Sequence, residues 1–495
     1  MIKPSLEEIK QIAATGQYGV IPMSVELYSD MFTPIDIFKK LKNVSGHCFI
    51  LESAEDTKTW GRYTFLGFDP IMEITCLNGL MNINSNETKS FKTDDPNKQI
   101  QEILDRYNSV KFDYLPPFTG GLVGYFAYDY AKYCEPSLKL DAYDEERFND
   151  VDLMLFDKLI CFDHYKQKVI LIVNIKTDNP GDEYEKGKSK LEYIHNLIKT
   201  GAHEDTPTAC LKSDFKALFS KDEYCKMVNK AKDHIKEGDI FQVVLSNRYE
   251  ADFEGSIFNT YRVLRTINPS PYMFYFSGSN LEIAGASPET LVKLHNGRLF
   301  TFPLAGTRRR GTNEEEDIAL EKELLADEKE LAEHNMLVDL GRNDLGRISN
   351  FGSVVVEKHM SILRFSHVMH IGSTVSSQIC EGKTGLDAIN SVLPAGTLSG
   401  APKIRAMQII NEQEKNKRGI YGGAIGYLDF TGNMDTCIAI RIVYRRNNKV
   451  FIRSGAGIVA DSNPESEYQE CINKSAAVMN ALKLSTEVSS KGELE

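Results

Sequence analysis

Across the first two hundred positions, apolar residues come in short β-rich runs. The pattern predicts strands over 46–51, 63–67, 120–128 and 169–175, punctuated by polar clusters at 84–86 and 94–97, with a few helices between. Apolar periodicity lapses over 199–215, where Gly, Asp, Thr and Pro accumulate as in a linker. After it the period changes. Ser220 and Glu223 form a capping box ahead of a helix whose stripe is Tyr224, Met227, Val228, Ala231 and Ile235, stopped by Gly238. A strand follows over 240–246. A helix over 257–267 stops at Asn268-Pro-Ser-Pro271, and strands are expected over 272–276 and 281–286. The charged segment 314–343 reads as helix with at least one break. Three more strands are expected over 420–429, 434–444 and 450–459. Asn463 and Pro464 suit the N-cap and first position of a final helix. The mixture is α+β, with no internal repeat.

A chain of 495 residues carries a prior of two to four domains at roughly 150 residues each. The composition break divides it into a strand-rich region 1–212, a larger unit 213–485 and a polar tail 486–495. The net charge of −12 argues against a general affinity for nucleic acid. The one dense basic cluster, Arg308-Arg309-Arg310, reads as an exposed turn. The first twenty residues lack the apolar core of a secretory signal, and no apolar run approaches the ~18 residues of a membrane span. Nine scattered cysteines without a Cys-x-x-Cys pair predict reduced thiols in a cytoplasmic protein.

Two carboxylate pairs stand out, Glu330 with Glu333 and Glu467 with Glu470. Each pair is spaced i,i+3, so its members share a helix face. Two such faces meeting would offer a hard, oxygen-rich site favouring Mg2+ over zinc. Taken alone, each pair is also what a solvated helix carries. His334, His367 and His370 fit core positions as well as acid–base roles. Glycine-rich segments at 396–403, 419–426 and 454–457 match neither a P-loop nor a dinucleotide fingerprint, but could bring backbone N–H groups close to an anion. Generic chemistry therefore stops at an acidic-metal, anion-binding enzyme.

Taken in order, the motifs are more specific. Gly238-Asp-Ile-Phe-Gln242, Asn268-Pro-Ser-Pro-Tyr-Met-Phe274, Pro303-Leu-Ala-Gly-Thr307, Glu330-Leu-Ala-Glu333 continuing to Asp344, Gly396 to Lys403 and Ser454-Gly-Ala-Gly457 occur in one chain. The sequence from about Val44 to about Leu484 resembles the chorismate-utilising enzymes, and within them the large subunits that form anthranilate. The resemblance implies two large, mostly antiparallel sheets packed face to face with helices outside, and a bound Mg2+. It implies Glu333 and Glu470 as metal ligands, with Glu330 and Glu467 assisting. By position, His370 is the general acid that protonates the leaving 4-hydroxyl, with His367 a weaker alternative, and Thr397 is a further active-site contact. The matched substrate contacts are Gly306, Thr307, Tyr421, Arg441, Gly455, Ala456 and Gly457.

Two positions separate the sister enzymes. Aminodeoxychorismate synthases carry a lysine where this chain has Ala305, and isochorismate and salicylate synthases use a lysine to activate water where it has Gln242. Alanine cannot attack the ring and glutamine is a poor base, so both positions imply amination by ammonia to anthranilate. The alternatives are an aminodeoxychorismate synthase or a catalytically silent tryptophan-sensing relative. The resemblance also implies feedback inhibition by tryptophan bound at Ser53, Pro271, Tyr272 and Met273, in the strand-rich first region and its neighbour. Little sequence follows Leu484, so ammonia is expected from a separate glutamine amidotransferase subunit, component II, in a heterotetramer of two of each.

Overall fold

The computed structural model describes residues 1–53, 61–203, 209–364 and 368–487; His367 and residues 488–495 of the expected tail lie outside the described residues. Two antiparallel sheets dominate, of 13 and 12 strands. The first runs from Val20–Tyr28 through Lys168–Lys176, Lys158–Asp163, Tyr63–Phe68, Cys48–Glu52, Tyr272–Ser277, Glu282–Ser287, Ile442–Arg446 and Lys449–Ile458 to Gln242–Glu254. The second runs from Leu304–Arg309 through Val368–Gln378, Arg298–Thr301, Thr290–His295, Met434–Ile438, Ala424–Asp429, Gly121–Phe126 and Val151–Phe156 to Met72–Leu77 and its hairpin. The division of the chain at residue 212 is not a division of sheets. Cys48–Glu52 pairs with Tyr272–Ser277 in one sheet, and Gly121–Phe126 with Ala424–Asp429 in the other.

Residues of both sheets meet in an aromatic layer that includes Phe49, Phe65, Tyr125, Phe156, Phe274, Phe276 and Tyr427. The faces turned outward are covered by helices. Leu6–Ala14, Pro34–Val44, Pro180–Thr200, Phe258–Ile267 and Pro464–Ser485 supply the core on the first sheet. Pro96–Arg106, Glu328–Gly346 and Gly385–Val392 do so on the second. This is the face-to-face arrangement expected from the resemblance. Burial on both faces explains why many strands read as continuous apolar runs, with Val151–Phe156 and Lys158–Asp163 nearly wholly buried.

The local signals hold where they rest on capping chemistry. Ser220 N–H donates to Glu223 Oε2 at 2.9 Å and starts the helix Lys221–Lys236, which Gly238 follows at φ +84°. Asn463 Oδ1 accepts from the N–H groups of Glu465 and Ser466 at 3.0 and 3.1 Å and opens Pro464–Ser485. The expected break in the charged helix falls at Asp327, which caps Glu328–Gly346 by accepting from Lys329 and Glu330 N–H. Both glutamate pairs therefore sit in the first turns of capped helices.

Three expectations change. Arg308-Arg309-Arg310 is not an exposed turn: it ends the strand Leu304–Arg309 and pairs with Glu323, Asp327, Glu316 and Asp317 of the acidic helices. The strand expected over 240–246 extends to Glu254, because Lys449–Ile458 pairs along its length. The strand expected over 434–444 is two strands in different sheets, with the switch at 439–441. A run of apolar residues cannot reveal a change of sheet when both sheets are apolar. Among the described residues no helix is long and apolar enough to cross a membrane, and all nine cysteines are free.

Candidate active site

Two places where the chain crosses between sheets form one side of a cavity of about 570 Å3. One is Pro288-Glu289, between Glu282–Ser287 and Thr290–His295; the other is 439–441, ending in Arg441. Arg441 adopts φ +54°, a strained conformation for a residue with a side chain, of the kind that persists where the surroundings over-determine it. Its Nη1 donates to the Lys474 carbonyl at 2.8 Å. Burial pulls its pKa down, yet guanidinium remains a cation throughout the accessible range.

The cavity wall collects residues far apart in sequence: Gln242, Glu289, Ala305, Gly306, Thr307, Thr397, Tyr421, Gly455 and Gly457, and all four glutamates Glu330, Glu333, Glu467 and Glu470. Glycine is favoured at three of these positions: at Gly455 a Cβ would meet the Leu245 carbonyl oxygen at 2.7 Å, Gly306 holds a positive φ, and at Gly457 a Cβ would displace a side chain. A Cβ on Gly457 would lie 2.7 Å from Gln242 Nε2, and one on Gly306, at φ +65°, would lie 2.9 Å from Leu324 Cδ1. Ala456 lies between two wall glycines on one strand, so it turns its methyl to the opposite face, where it is fully buried with Val228, Leu245 and Ile409.

The glutamates face one another from two helix starts. Burial, and then the neighbouring Glu330, pushes the Glu333 carboxyl up; burial does the same for Glu467 against an opposing hydrogen bond from Ser462. Lys474, one turn beyond Glu470, pairs with it at 2.5 Å and donates to the Gly455 carbonyl at 3.1 Å. The four carboxylates share a wall without closing on one point. Among the described residues, the trio of ligand atoms within 4.8 Å of one another is instead half-buried His234 and Asp239 with exposed Glu237, and Asp239 is already paired with Arg405. Concentrated, partly desolvated carboxylates with hard oxygens are the donor set that suits Mg2+.

Glu289 was not singled out from sequence. It is the carboxylate of this wall most altered by its setting: burial pushes it up to about 7, against the opposing hydrogen bond from Thr397 Oγ1 at 3.0 Å. The available signal was a carboxylate next to Pro288 inside an otherwise apolar run. His370 touches the wall through Gly306 and Thr307. Its Nδ1 lies 2.9 Å from the Gly306 carbonyl and 3.1 Å from Thr307 Oγ1. A carbonyl only accepts, so Nδ1 carries a proton and a neutral ring presents Nε2 as a base. Burial lowers the His370 pKa and favours that neutral form.

His334 sits beside Glu333 in sequence but belongs to the core. It is fully buried, with Nε2 2.6 Å from Ser373 Oγ, and burial pulls its pKa down to about 4. The folded value lies below the unfolded 6.5, so its stabilising contribution is complete above pH 6.5 and is lost as pH falls toward 4, at a cost of about 3 kcal/mol. Urea midpoints measured from pH 7 to 4 should fall less steeply for His334→Gln than for the unsubstituted chain; parallel curves would contradict the assignment.

A second cavity, of about 430 Å3, opens between the sheets, and Ser53, Pro271, Tyr272 and Met273 all line it. Tyr272 is bonded through its hydroxyl to Thr290 Oγ1 and Asp435 Oδ1, both at 2.8 Å. Thr290 follows Glu289 directly, so one hydrogen bond joins this cavity to the crossover of the first.

The family model for chorismate binding enzymes matches residues 46–480. The chain is 44% identical to anthranilate synthase component 1 of Acetivibrio thermocellus over 99% of this chain and 100% of that protein. It is also 44% identical to the protein of the same name from Aquifex aeolicus, over 98% of each. Among solved structures, anthranilate synthase component I from Streptococcus pneumoniae superposes with a TM-score of 0.76 at 40% identity, covering 84% of this chain and 92% of that one. The menaquinone-specific isochorismate synthase of Escherichia coli shares the fold at 19% identity, with a TM-score of 0.70 over 96% of this chain and 98% of that one.

Proposed function

The chain belongs to the chorismate-binding enzyme family, and from that premise we propose that it is the chorismate-aminating subunit of an anthranilate synthase. It converts chorismate and ammonia to anthranilate and pyruvate in tryptophan biosynthesis, in the cytoplasm. The observation that carries this reading is that Ala305 and Gln242 both line the cavity that holds the four glutamates and Arg441. A lysine nucleophile or a lysine base is absent from the two positions where the sister chemistries need one, which leaves the ring carbon to ammonia.

Arg441 pairs with a chorismate carboxylate, and Gly306, Thr307, Tyr421, Gly455 and Gly457 shape the wall against the ring. Glu330, Glu333, Glu467 and Glu470 hold Mg2+. When bound, the ion supplies Lewis-acid polarisation and orientation of the ring carboxylate. Ammonia adds at the ring carbon beside the one bearing that carboxylate, both ring double bonds shift by one position toward the carbon bearing the 4-hydroxyl, and that hydroxyl leaves as water once protonated. We assign that proton to Glu289. Its carboxyl, raised to about 7, is substantially protonated near neutral pH, whereas His370 presents a lone pair. In the second step the aminated carbon loses its proton and the adjacent C–O bond breaks, releasing the enol of pyruvate and an aromatic ring. Neutral His370 suits the acceptance of that proton. His370 as the acid of the first step is the second reading, favoured by its match to the family motif.

Ammonia is supplied by a glutamine amidotransferase partner, two copies of each subunit assembling together. The relatives' designation as component 1 fits a second component. Tryptophan occupies the Ser53–Tyr272 cavity and acts by binding the inactive arrangement more tightly. The Tyr272–Thr290 hydrogen bond is the direct route from that cavity to Glu289. Ser53→Ala should leave turnover near normal and shift the tryptophan inhibition curve to higher concentration; an unmoved curve removes Ser53 from the inhibitor site.

The decisive assay mixes the chain with chorismate, Mg2+ and an ammonium salt at slightly alkaline pH, and follows anthranilate fluorescence. Fluorescence that tryptophan suppresses supports the reading. Chorismate consumed without anthranilate moves the chain to a sister activity. Replacing the ammonium salt with glutamine should give no product until the partner is added.

A further inference from the structure

The strand Tyr272–Ser277 runs from one cavity between the sheets to another. Its first residues line the Ser53–Tyr272 cavity, and its last, Phe276 and Ser277, line a separate hollow of about 270 Å3. The hollow shares no lining residue with the chorismate cavity. It lies below the roughly 300–1,000 Å3 of pockets for drug-sized molecules, so it is suited to something smaller.

Its wall is amphipathic, and one of its buried polar groups lacks a partner among the described residues. Tyr125 is only 2% exposed, lines the hollow, and has a hydroxyl without a hydrogen-bond partner among the described residues. A buried hydroxyl with nothing to bond is a cost that natural structures seldom leave unmet. Directly across the strand pair from Tyr125 stands Asp152. Its carboxylate accepts from Asn149 Nδ2 at 3.0 Å, and burial pushes it up to about 6, with Glu73 raising it further and Arg446 and His47 opposing. Glu73 is engaged by His47 Nε2 at 2.7 Å, and His47 Nε2 also lies 3.0 Å from Ser279 Oγ. Arg446 lines the same hollow, anchored by Nη1 to the Arg147 carbonyl at 2.7 Å. Phe276, Ile283 and Met154 make the apolar part of the wall.

An anionic acceptor paired with an unmet hydroxyl, a guanidinium and an apolar wall recognise different parts of one kind of molecule. We propose that this hollow binds a small α-amino acid with an apolar side chain, as the zwitterion. The ammonium donates to Asp152 and to the Tyr125 hydroxyl oxygen, with Glu73 adding negative charge nearby. The carboxylate pairs with Arg446, and the side chain packs against Phe276, Ile283 and Met154. Size and wall chemistry favour leucine or methionine over an indole.

The test is calorimetry on the full chain with leucine and methionine, and with the half-ligands isoamylamine and 4-methylpentanoate, while tryptophan saturates the other cavity. Leucine or methionine should bind and raise Tm, since a ligand that selects the folded state stabilises it. Each half-ligand should bind more weakly by about tenfold or more, the loss expected for one charge-assisted contact. Tyr125→Phe, which removes the unmet hydroxyl at constant shape, should weaken binding by about tenfold without lowering the Tm of the free protein. Arg446→Met should weaken the amino acid while leaving isoamylamine unchanged. Basal anthranilate formation, which uses none of these residues, reports that each variant is folded. The proposal is overturned if neither amino acid binds, which would leave a hollow filled by water alone. It is also overturned if isoamylamine binds as well as leucine, or if leucine binds both variants with unchanged affinity.

Discussion

Glu289→Gln should lower chorismate turnover by about 10²- to 10⁴-fold, the range by which a positioned acid accelerates a proton transfer. The amide keeps the volume and can still accept from Thr397 Oγ1, so the crossover between sheets should stay in place. What it cannot do is give up a proton to a departing hydroxyl. The same burial that raises the carboxyl to about 7 would penalise a charged residue there, so the neutral amide is expected to fold at least as stably. Affinity for chorismate should change far less than turnover, because Arg441, the proposed carboxylate partner, and the glycine wall are untouched. Steady-state kinetics with ammonium as nucleophile, set beside a His370→Gln variant, decide between the two candidate acids. If Glu289→Gln retains turnover within about tenfold, and His370→Gln accumulates unreacted chorismate, the first proton comes from His370.

Glu333→Gln and Glu470→Gln should each remove Mg2+-dependent activity by about two orders of magnitude or more, since even groups supporting metal ligands cost 10–100-fold when altered. A second readout separates loss of metal from loss of fold. In the unsubstituted chain, Mg2+ should raise Tm by binding the folded state, and in these variants that rise should shrink or vanish. Without Mg2+ the Glu333 variant should be no less stable than the parent, because it replaces a carboxylate held up by burial and by Glu330 with a neutral group. A Tm response to Mg2+ that survives in both variants would place the ion elsewhere.

Helix starts were legible where capping chemistry is local. Ser220 with Glu223, and Asn463 with Pro464, announce a helix start within four residues, and the same signals survive in the structure. The spacing of each glutamate pair was legible for the same reason. Strand boundaries were less so. The 434–444 stretch, with only Asp435, Thr436 and Arg441 among its apolar residues, reads as one strand, yet the chain changes sheets at 439–441, where Arg441 adopts φ +54°. Glu289 stayed unnoticed because one carboxylate beside a proline carries no spacing rule; its character comes from burial, which composition does not record.

The sequence by itself determined the element types, the paired glutamates, the absence of lysine at 242 and 305, and a motif order specific enough to name the family. Those properties depend on neighbours within a few residues, or on residue identity alone. Only the tertiary structure decided that both crossovers between sheets form one wall, bringing Glu289, Arg441 and the two helix starts into a single cavity. It alone also joined Tyr272 to Thr290, so that the proposed inhibitor cavity adjoins the proposed proton donor. Long-range antiparallel pairing and burial set both the meeting of these groups and their proton affinities, and neither is encoded in any local stretch of chain.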